Sequence, residues 1–283
     1  MLSEFRFSGA ERGALPPKAL RKLAAAFARD GAATFDGLFA AGWLSEVRDE
    51  VLRRHGSGEL KRRALVRDIG GRYAAILPLR KPFLSPELYG NERLRSILGA
   101  LLGESWCLGS LETVISLPGS SRQHQHIDGP IRFDRRFGRA SVPYARNLSD
   151  LPPYAVGLAT PLCDVDDENG PTAIWAGSHK AALAAKPPSE RDVARRFREE
   201  RLTGPFGRSY AFDYRVFHGG LPNHSREPRP LLMMVFLRSW FRDPNLNEIH
   251  PSVGISARDL ARVPQRYRDL FLLAPAARRQ VWR

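Results

Sequence analysis

Gln123-His124-Gln125-His126-Ile127-Asp128 is the stretch on which the reading of this chain turns. Side chains alternate across an extended backbone with period two, so His126 and Asp128 point to the same side and can reach one metal ion. Two ligands from one strand end, joined by a histidine from far along the chain, make the 2-His-1-carboxylate arrangement that leaves open positions on Fe(II). With seven histidines and fifteen aspartates in 283 residues, a chance His-x-Asp is expected about 0.4 times, so the pair gains meaning only from its surroundings.

Immediately before the stretch, residues 106–117 are rich in strand formers and end in the turn Pro118-Gly119. After it, residues 129–153 are irregular, with Arg132, Arg135, Arg136, Arg139 and Arg146 interleaved with Phe133, Phe137 and Tyr144. Strand-like runs follow at 154–163, 171–175, 208–212 and 231–240, with an arginine-rich helical insert over 190–202. Upstream, apolar spacing predicts helices over 17–29, 43–54 and 85–103, and strands over 33–35 and 71–79. A last helix is expected over 257–272.

Helices first and many short strands afterwards predict a mainly β protein with flanking helices around a jelly-roll core, a cupin-like double-stranded β-helix. The length suits a single domain over 1–283, with a mainly helical N-terminal part to about residue 104, a jelly-roll core over about 105–240 and a tail over 241–283.

Composition narrows the setting. Hydrophobic residues make up 43% of the chain, enough for a packed core. Cys107 and Cys163 are too few for a disulfide framework and lack metal-ligand spacing. Met1 to Gly13 lacks the basic-then-apolar order of a signal peptide, and no run approaches a membrane span, so a cytoplasmic protein without membrane partners is expected. The net charge of +14 is equally compatible with anionic partners and with coding bias toward arginine.

A candidate third ligand stands in Val216-Phe217-His218-Gly219-Gly220, where a histidine follows an expected strand and glycines leave room beside it. Here the residues reach a family. The helix end Phe27-Ala28-Arg29-Asp30-Gly31, the Gln123-x-x-His126-x-Asp128 stretch, Glu168-Asn169-Gly170-Pro171, Gly177-Ser178-His179-Lys180, His218 and Asn223-x-Ser225 together resemble the phytanoyl-CoA dioxygenase family of iron(II)- and 2-oxoglutarate-dependent oxygenases. Ala176 departs from the proline usual before Gly-Ser-His-Lys.

The resemblance implies that His126, Asp128 and His218 hold Fe(II), and that 2-oxoglutarate chelates the iron while Arg229 pairs with its far carboxylate, Arg226 being the competitor. It implies a dioxygenase that uses O2 to hydroxylate or otherwise oxidise a small organic substrate, releasing succinate and CO2. An aspartate at 128 fills the position where related halogenases admit chloride, which favours hydroxylation, desaturation or ring formation. His124 and His179 are assigned to structural hydrogen bonding and His224 to shaping the turn before Arg229; Trp175 belongs to the core or to a pocket wall.

Two rivals remain at this level. A nucleobase-directed oxygenase would carry two arginines about six apart after the distal histidine, whereas Arg226 and Arg229 are three apart, so nucleic acid is disfavoured as a partner. A non-catalytic jelly-roll protein would keep the barrel without the chemistry. The 129–153 loop leaves directly from the metal-binding stretch, and Arg132, Phe133, Arg135 and Arg136, with Trp175, are the candidate substrate contacts. They suggest a lid over a substrate bearing a carboxylate, phosphate or carrier thioester. Substrate identity and oligomeric state are not written in the sequence.

Overall fold

A computed structural model of the chain describes residues 1–7, 13–55, 67–68, 70–129, 152–181, 189–243 and 253–274. Two sheets face each other, as the succession of many short strands predicts. The larger, among the described residues, has eight strands: β1 (Ser3–Arg6), β2 (Ala32–Asp36), β3 (Arg67–Asp68), β4 (Arg72–Ile76), β5 (Trp106–Ser116), β6 (Ala155–Pro161), β9 (Ser209–Asp213) and β11 (Arg229–Arg238). They run in the order β1-β2-β9-β6-β11-β5-β4-β3, antiparallel except for the parallel pair β1 and β2. The smaller sheet is β10 (His218–Gly220), β7 (Thr172–Trp175) and β8 (Glu199–Leu202), with β7 in the middle.

Helices cover the outer face of the large sheet. In α1 (Pro17–Asp30), Leu23, Ala26 and Phe27 are buried, and the helix stops at Gly31, whose left-handed φ of 72° lets its N–H reach the Phe27 carbonyl. The second helix, α2 (Ala41–His55), buries Trp43, Leu44, Val47 and Val51. The expected helix over 85–103 is two pieces, α3 (Pro86–Tyr89) and α4 (Glu92–Leu102), because Ser85 and Asn91 each cap a new start with a side-chain oxygen. These helices meet Leu108, Leu111, Ile115, Leu232, Met234 and Phe236 in one core. Truncating a fully buried leucine there, such as Leu98 at 1% exposure, would cost roughly 2–5 kcal/mol.

Two helical expectations fail for local reasons. The insert over 190–202 is helical only as α5 (Glu190–Arg196), which a Ser189–Asp192 capping box starts; Glu199–Leu202 then becomes β8, drawn into the small sheet by pairing with β7. The tail helix ends as α6 (Ala257–Arg262), since Pro264 cannot continue it, and Gln265–Phe271 form a 3₁₀ segment that buries Tyr267, Leu270 and Phe271. Four strands of the large sheet come from the first 104 residues, so the N-terminal part and the jelly roll share one sheet.

The inner faces of the sheets position the site. Along β5 and β11, Leu111, Ile115, Leu232, Met234 and Phe236 face the helices, so Glu112, Ser116, Arg229 and Met233 face the other sheet. Met233 accordingly packs toward Tyr210, Phe212, Ile174 and Val216.

Candidate metal centre

The run after β5 lies antiparallel to β10 and is tied to it rung by rung. Gln123 N–H donates to the Gly220 carbonyl at 2.9 Å, and the Gln123 Oε1 accepts from Gly220 N–H at 3.0 Å. His126 and His218 exchange both backbone hydrogen bonds, at 3.0 and 2.9 Å. The strands approach this closely because Gly219 has no Cβ; one there would stand 3.1 Å from the His124 carbonyl oxygen. Asp128 is fixed next, since its N–H and that of Gly129 both donate to the Tyr214 carbonyl, at 3.0 and 2.9 Å.

Side chains from directly paired residues share a face, and here three converge. His126 Nε2 lies 3.8 Å from Asp128 Oδ1, His218 Nε2 lies 3.7 Å from Asp128 Oδ2, and one donor atom from each residue falls within 4.8 Å of the others. These separations exceed hydrogen bonds and suit three donors around an ion. Each imidazole is oriented from behind: His126 Nδ1–H donates to the His124 carbonyl at 2.9 Å, and His218 Nδ1–H to the Val216 carbonyl at 3.1 Å. Because a carbonyl only accepts, both Nε2 atoms keep a lone pair for the shared space. Burial, followed by repulsion from His218, pushes His126 down to about 4, so its ring is neutral at physiological pH. The His218 ring lies against Phe212 at 4.7 Å between centroids.

Arg229 opens β11 opposite Ser116 and is only 2% exposed. Its Nε has no hydrogen-bond partner, and among the described residues no carboxylate pairs with the guanidinium. Burial pushes its pKa down, and Tyr210 and Cys163 beside it only partly offset this. The Tyr210 hydroxyl is hydrogen-bonded to Thr172 Oγ1 at 2.7 Å. Arg226, the competitor, is exposed. Asn223 sets the turn that carries the chain from β10 to Arg229: its Nδ2 donates to the Ser116 and Glu227 carbonyls, and its Oδ1 accepts from Ser225.

The remaining histidines do what their surroundings allow. His124 contributes its carbonyl to His126 while its ring is exposed. His179 is buried in the Ser178–Lys180 turn, bonded to the Ala28 backbone and pushed down by burial. His224 donates its N–H to the Glu168 carbonyl. Trp175 takes the core alternative of its two readings: it lies on the opposite face of β7 from Ile174, which pairs with His218, and packs with Ile127, Val193, Phe217 and Leu221. That places it in the core behind the site. Arg132, Phe133, Arg135 and Arg136 lie outside the described residues, as does most of the expected lid.

Sequence reasoning missed Arg72, the first residue of β4, paired to Ser116 on the side opposite Arg229 and 2% exposed. Its only signal was a lone arginine opening an otherwise apolar strand. It also missed the pairing of Tyr214 with Asp243. Tyr214 donates to Asp243 Oδ2 at 2.8 Å, and its phenol is pushed well up by burial, with Asp243, Asp128 and Glu112 adding to the effect.

A family model described as phytanoyl-CoA dioxygenase matches residues 27–231. The L-proline trans-4-hydroxylase of Streptomyces griseoviridis is 32% identical over 111 residues, covering 30% of this chain and 41% of that protein. The chain thus spans less than half the length of the curated relative it matches. Among solved structures, EctD from S. alaskensis with 2-oxoglutarate and 5-hydroxyectoine is similar over 83% of each chain, at 18% identity and a TM-score of 0.61. The epimerase SnoN in complex with Fe3+, alpha-ketoglutarate and nogalamycin RO is similar over 79% of this chain and 85% of its own, at 20% identity and a TM-score of 0.59. At these identities the structural likeness speaks for the jelly-roll fold.

Proposed function

The chain belongs to the phytanoyl-CoA dioxygenase family, and from that premise we propose that it is an iron(II)- and 2-oxoglutarate-dependent dioxygenase that oxidises a small organic substrate. The observation that carries the reading is the convergence of His126, Asp128 and His218 on one shared space, with both imidazoles turned Nε2-inward by backbone carbonyls. This donor set, two imidazole nitrogens and one carboxylate, suits Fe(II) and leaves positions for cosubstrate and oxygen. Arg229 fits the cosubstrate: a buried guanidinium without a carboxylate partner among the described residues is an unfinished ion pair, and a dicarboxylate completes it.

Iron and 2-oxoglutarate, when bound, supply the activation of oxygen, with succinate and CO2 as products. The protein's part is positional. His126 and His218 hold their rings by the Nδ1 bonds, Asp128 supplies the negative ligand, and Arg229 orients the far carboxylate in a site where low polarity strengthens the pair. With iron bound, Asp128 would occupy the place that a halide would need, which favours hydroxylation, desaturation or ring closure.

The substrate class is the finer part of the proposal. Asp243 and Glu112 add to the negative field at Tyr214, and an anionic end of the substrate is assigned to Arg132, Arg135 and Arg136. Since the proline hydroxylase is a relative, free amino acids belong in the first panel. A nucleobase substrate is disfavoured because Arg226 is exposed and cannot join Arg229 in the pocket. No helix among the described residues is long and apolar enough to cross a membrane, and a cytoplasmic location is part of the proposal.

The experiment is succinate formation with Fe(II), 2-oxoglutarate and air, screened over L-proline, other amino acids, acyl thioesters and phosphonates. One substrate should raise succinate above the uncoupled background with a matching oxidised product. Absence of both 2-oxoglutarate binding and uncoupled turnover in the iron-loaded protein would favour a ligand-binding jelly roll without catalysis.

A further inference from the structure

The two metal-binding segments are held to each other by the His126–His218 rung, yet that ladder alone does not fix where the pair sits against the large sheet. Arg72 reaches both. From β4 its Nη1 donates to the Ser121 carbonyl and its Nη2 to the Leu221 carbonyl. Ser121 lies on the segment leading to His126, and Leu221 follows β10, which begins with His218. We propose that Arg72 is a positioning residue that braces the His126 and His218 segments against β4 and so sets the separation of the metal-binding side chains. The inference rests on the reading of His126, Asp128 and His218 as metal ligands.

The chemistry of the position favours a brace over a filler. Arg72 is 2% exposed, pairs with no carboxylate among the described residues, and has the like charge of Arg229 as its neighbour; burial and that neighbour push it down to about 10. An apolar side chain would suit a buried strand better if stability were the only demand, because an uncompensated buried charge is costly. What a guanidinium adds is a planar fork that can donate to two separate carbonyls at once, which an ammonium on a flexible stem cannot reproduce. The fit is tight: a Cβ on Gly220 would lie 2.5 Å from Arg72 Nε. Gly220→Ala therefore displaces the fork without removing its charge.

The test is a titration of the metal-free protein with Co(II), followed by calorimetry and by the visible absorption of the bound ion, which reports ligand geometry without turnover. Arg72→Met should lower Co(II) affinity about 10- to 100-fold, the range for groups that orient ligands from behind, and alter the absorption while cooperative thermal unfolding is retained. Arg72→Lys should recover only part of the loss. Gly220→Ala should weaken binding in the wild-type background and add little in the Arg72→Met background, because both act through the same fork. Wild-type affinity and spectrum in Arg72→Met would overturn the proposal, as would fully multiplicative effects of the two substitutions. If Arg72→Met does not fold, wild-type affinity in both Arg72→Lys and Gly220→Ala would overturn it equally. Failure of the underlying reading looks different: the wild-type protein would bind no Co(II), or His126→Ala would bind it as well as wild type.

Discussion

Two sets of buried ionisable residues of opposite sign lie along the inner face of the large sheet and beside Tyr214. In the basic set Arg72 and Arg229 flank Ser116 in a single row across β4, β5 and β11. Glu112 is four residues further along β5, roughly 13 Å away at the rise of a strand, and with Asp243 it contributes to the field around Tyr214 and Asp128. The net charge of +14 does not by itself say which charges reach the pocket. The comparison teaches that a site's field is set by the few charges desolvated within it, since surface arginines are screened within about a Debye length. In the proposed reading a dicarboxylate cosubstrate pairs with Arg229, away from Glu112.

The comparison is broken most severely at the proposed metal centre. His218→Ala removes a proposed ligand and should abolish Fe(II)-dependent succinate formation, with metal affinity falling beyond the ~100-fold typical of supporting groups. Equal iron binding in wild type and variant, by equilibrium dialysis, would move the centre elsewhere. Arg229→Gln comes next. Losing a buried charge pair is worth about 2–5 kcal/mol, so 2-oxoglutarate affinity should drop by a factor on the order of 30 to 5,000 while Co(II) affinity stays near wild type. Loss of metal binding in that variant would mean that Arg229 and the metal ligands are not separate sites.

A smaller effect concerns protons. The folded value of His126, about 4, lies below its ordinary 6.5, so between those pH values the unfolded chain binds more protons than the folded one. The stability contributed by the neutral ring is therefore present above about 6.5 and lost as pH falls toward 4, to the extent of roughly 1–3 kcal/mol. Urea unfolding of the metal-free protein across this window should show the slope, and His126→Gln should flatten it. The smallest expected effect is that of Arg226→Gln: an exposed arginine outside the row should leave 2-oxoglutarate affinity within twofold of wild type. A larger loss than in Arg229→Gln would exchange their roles.

Much of the architecture was legible from local signals. Gly31 ends α1, the strand formers along 106–117 and the apolar run over 231–240 mark β5 and β11, and the ordered motifs from Phe27 to Ser225 point to the family that the chain belongs to. Some misreadings are local, at the caps Ser85 and Asn91 and at Pro264, and others arise because secondary structure is decided partly by partners. Glu199–Leu202 has the composition of a helix but lies beside β7, whose free edge it completes. Trp175 reads equally as core or pocket wall until the register with His218 settles which face it takes.

The sequence by itself determined the residue types and spacings that permit the chemistry: His126 and Asp128 two apart, His218 beside two glycines, and Arg229 at the start of a strand. Only the tertiary structure decided that Arg72 stands beside Arg229, that Glu112 and Asp243 share the field around Asp128, and that both imidazoles turn Nε2 toward one space. The physical reason is range. Periodicity and capping act over a few residues and leave their mark on neighbouring letters, whereas desolvation and Coulomb interaction depend on distances that exist only after the sheets have closed.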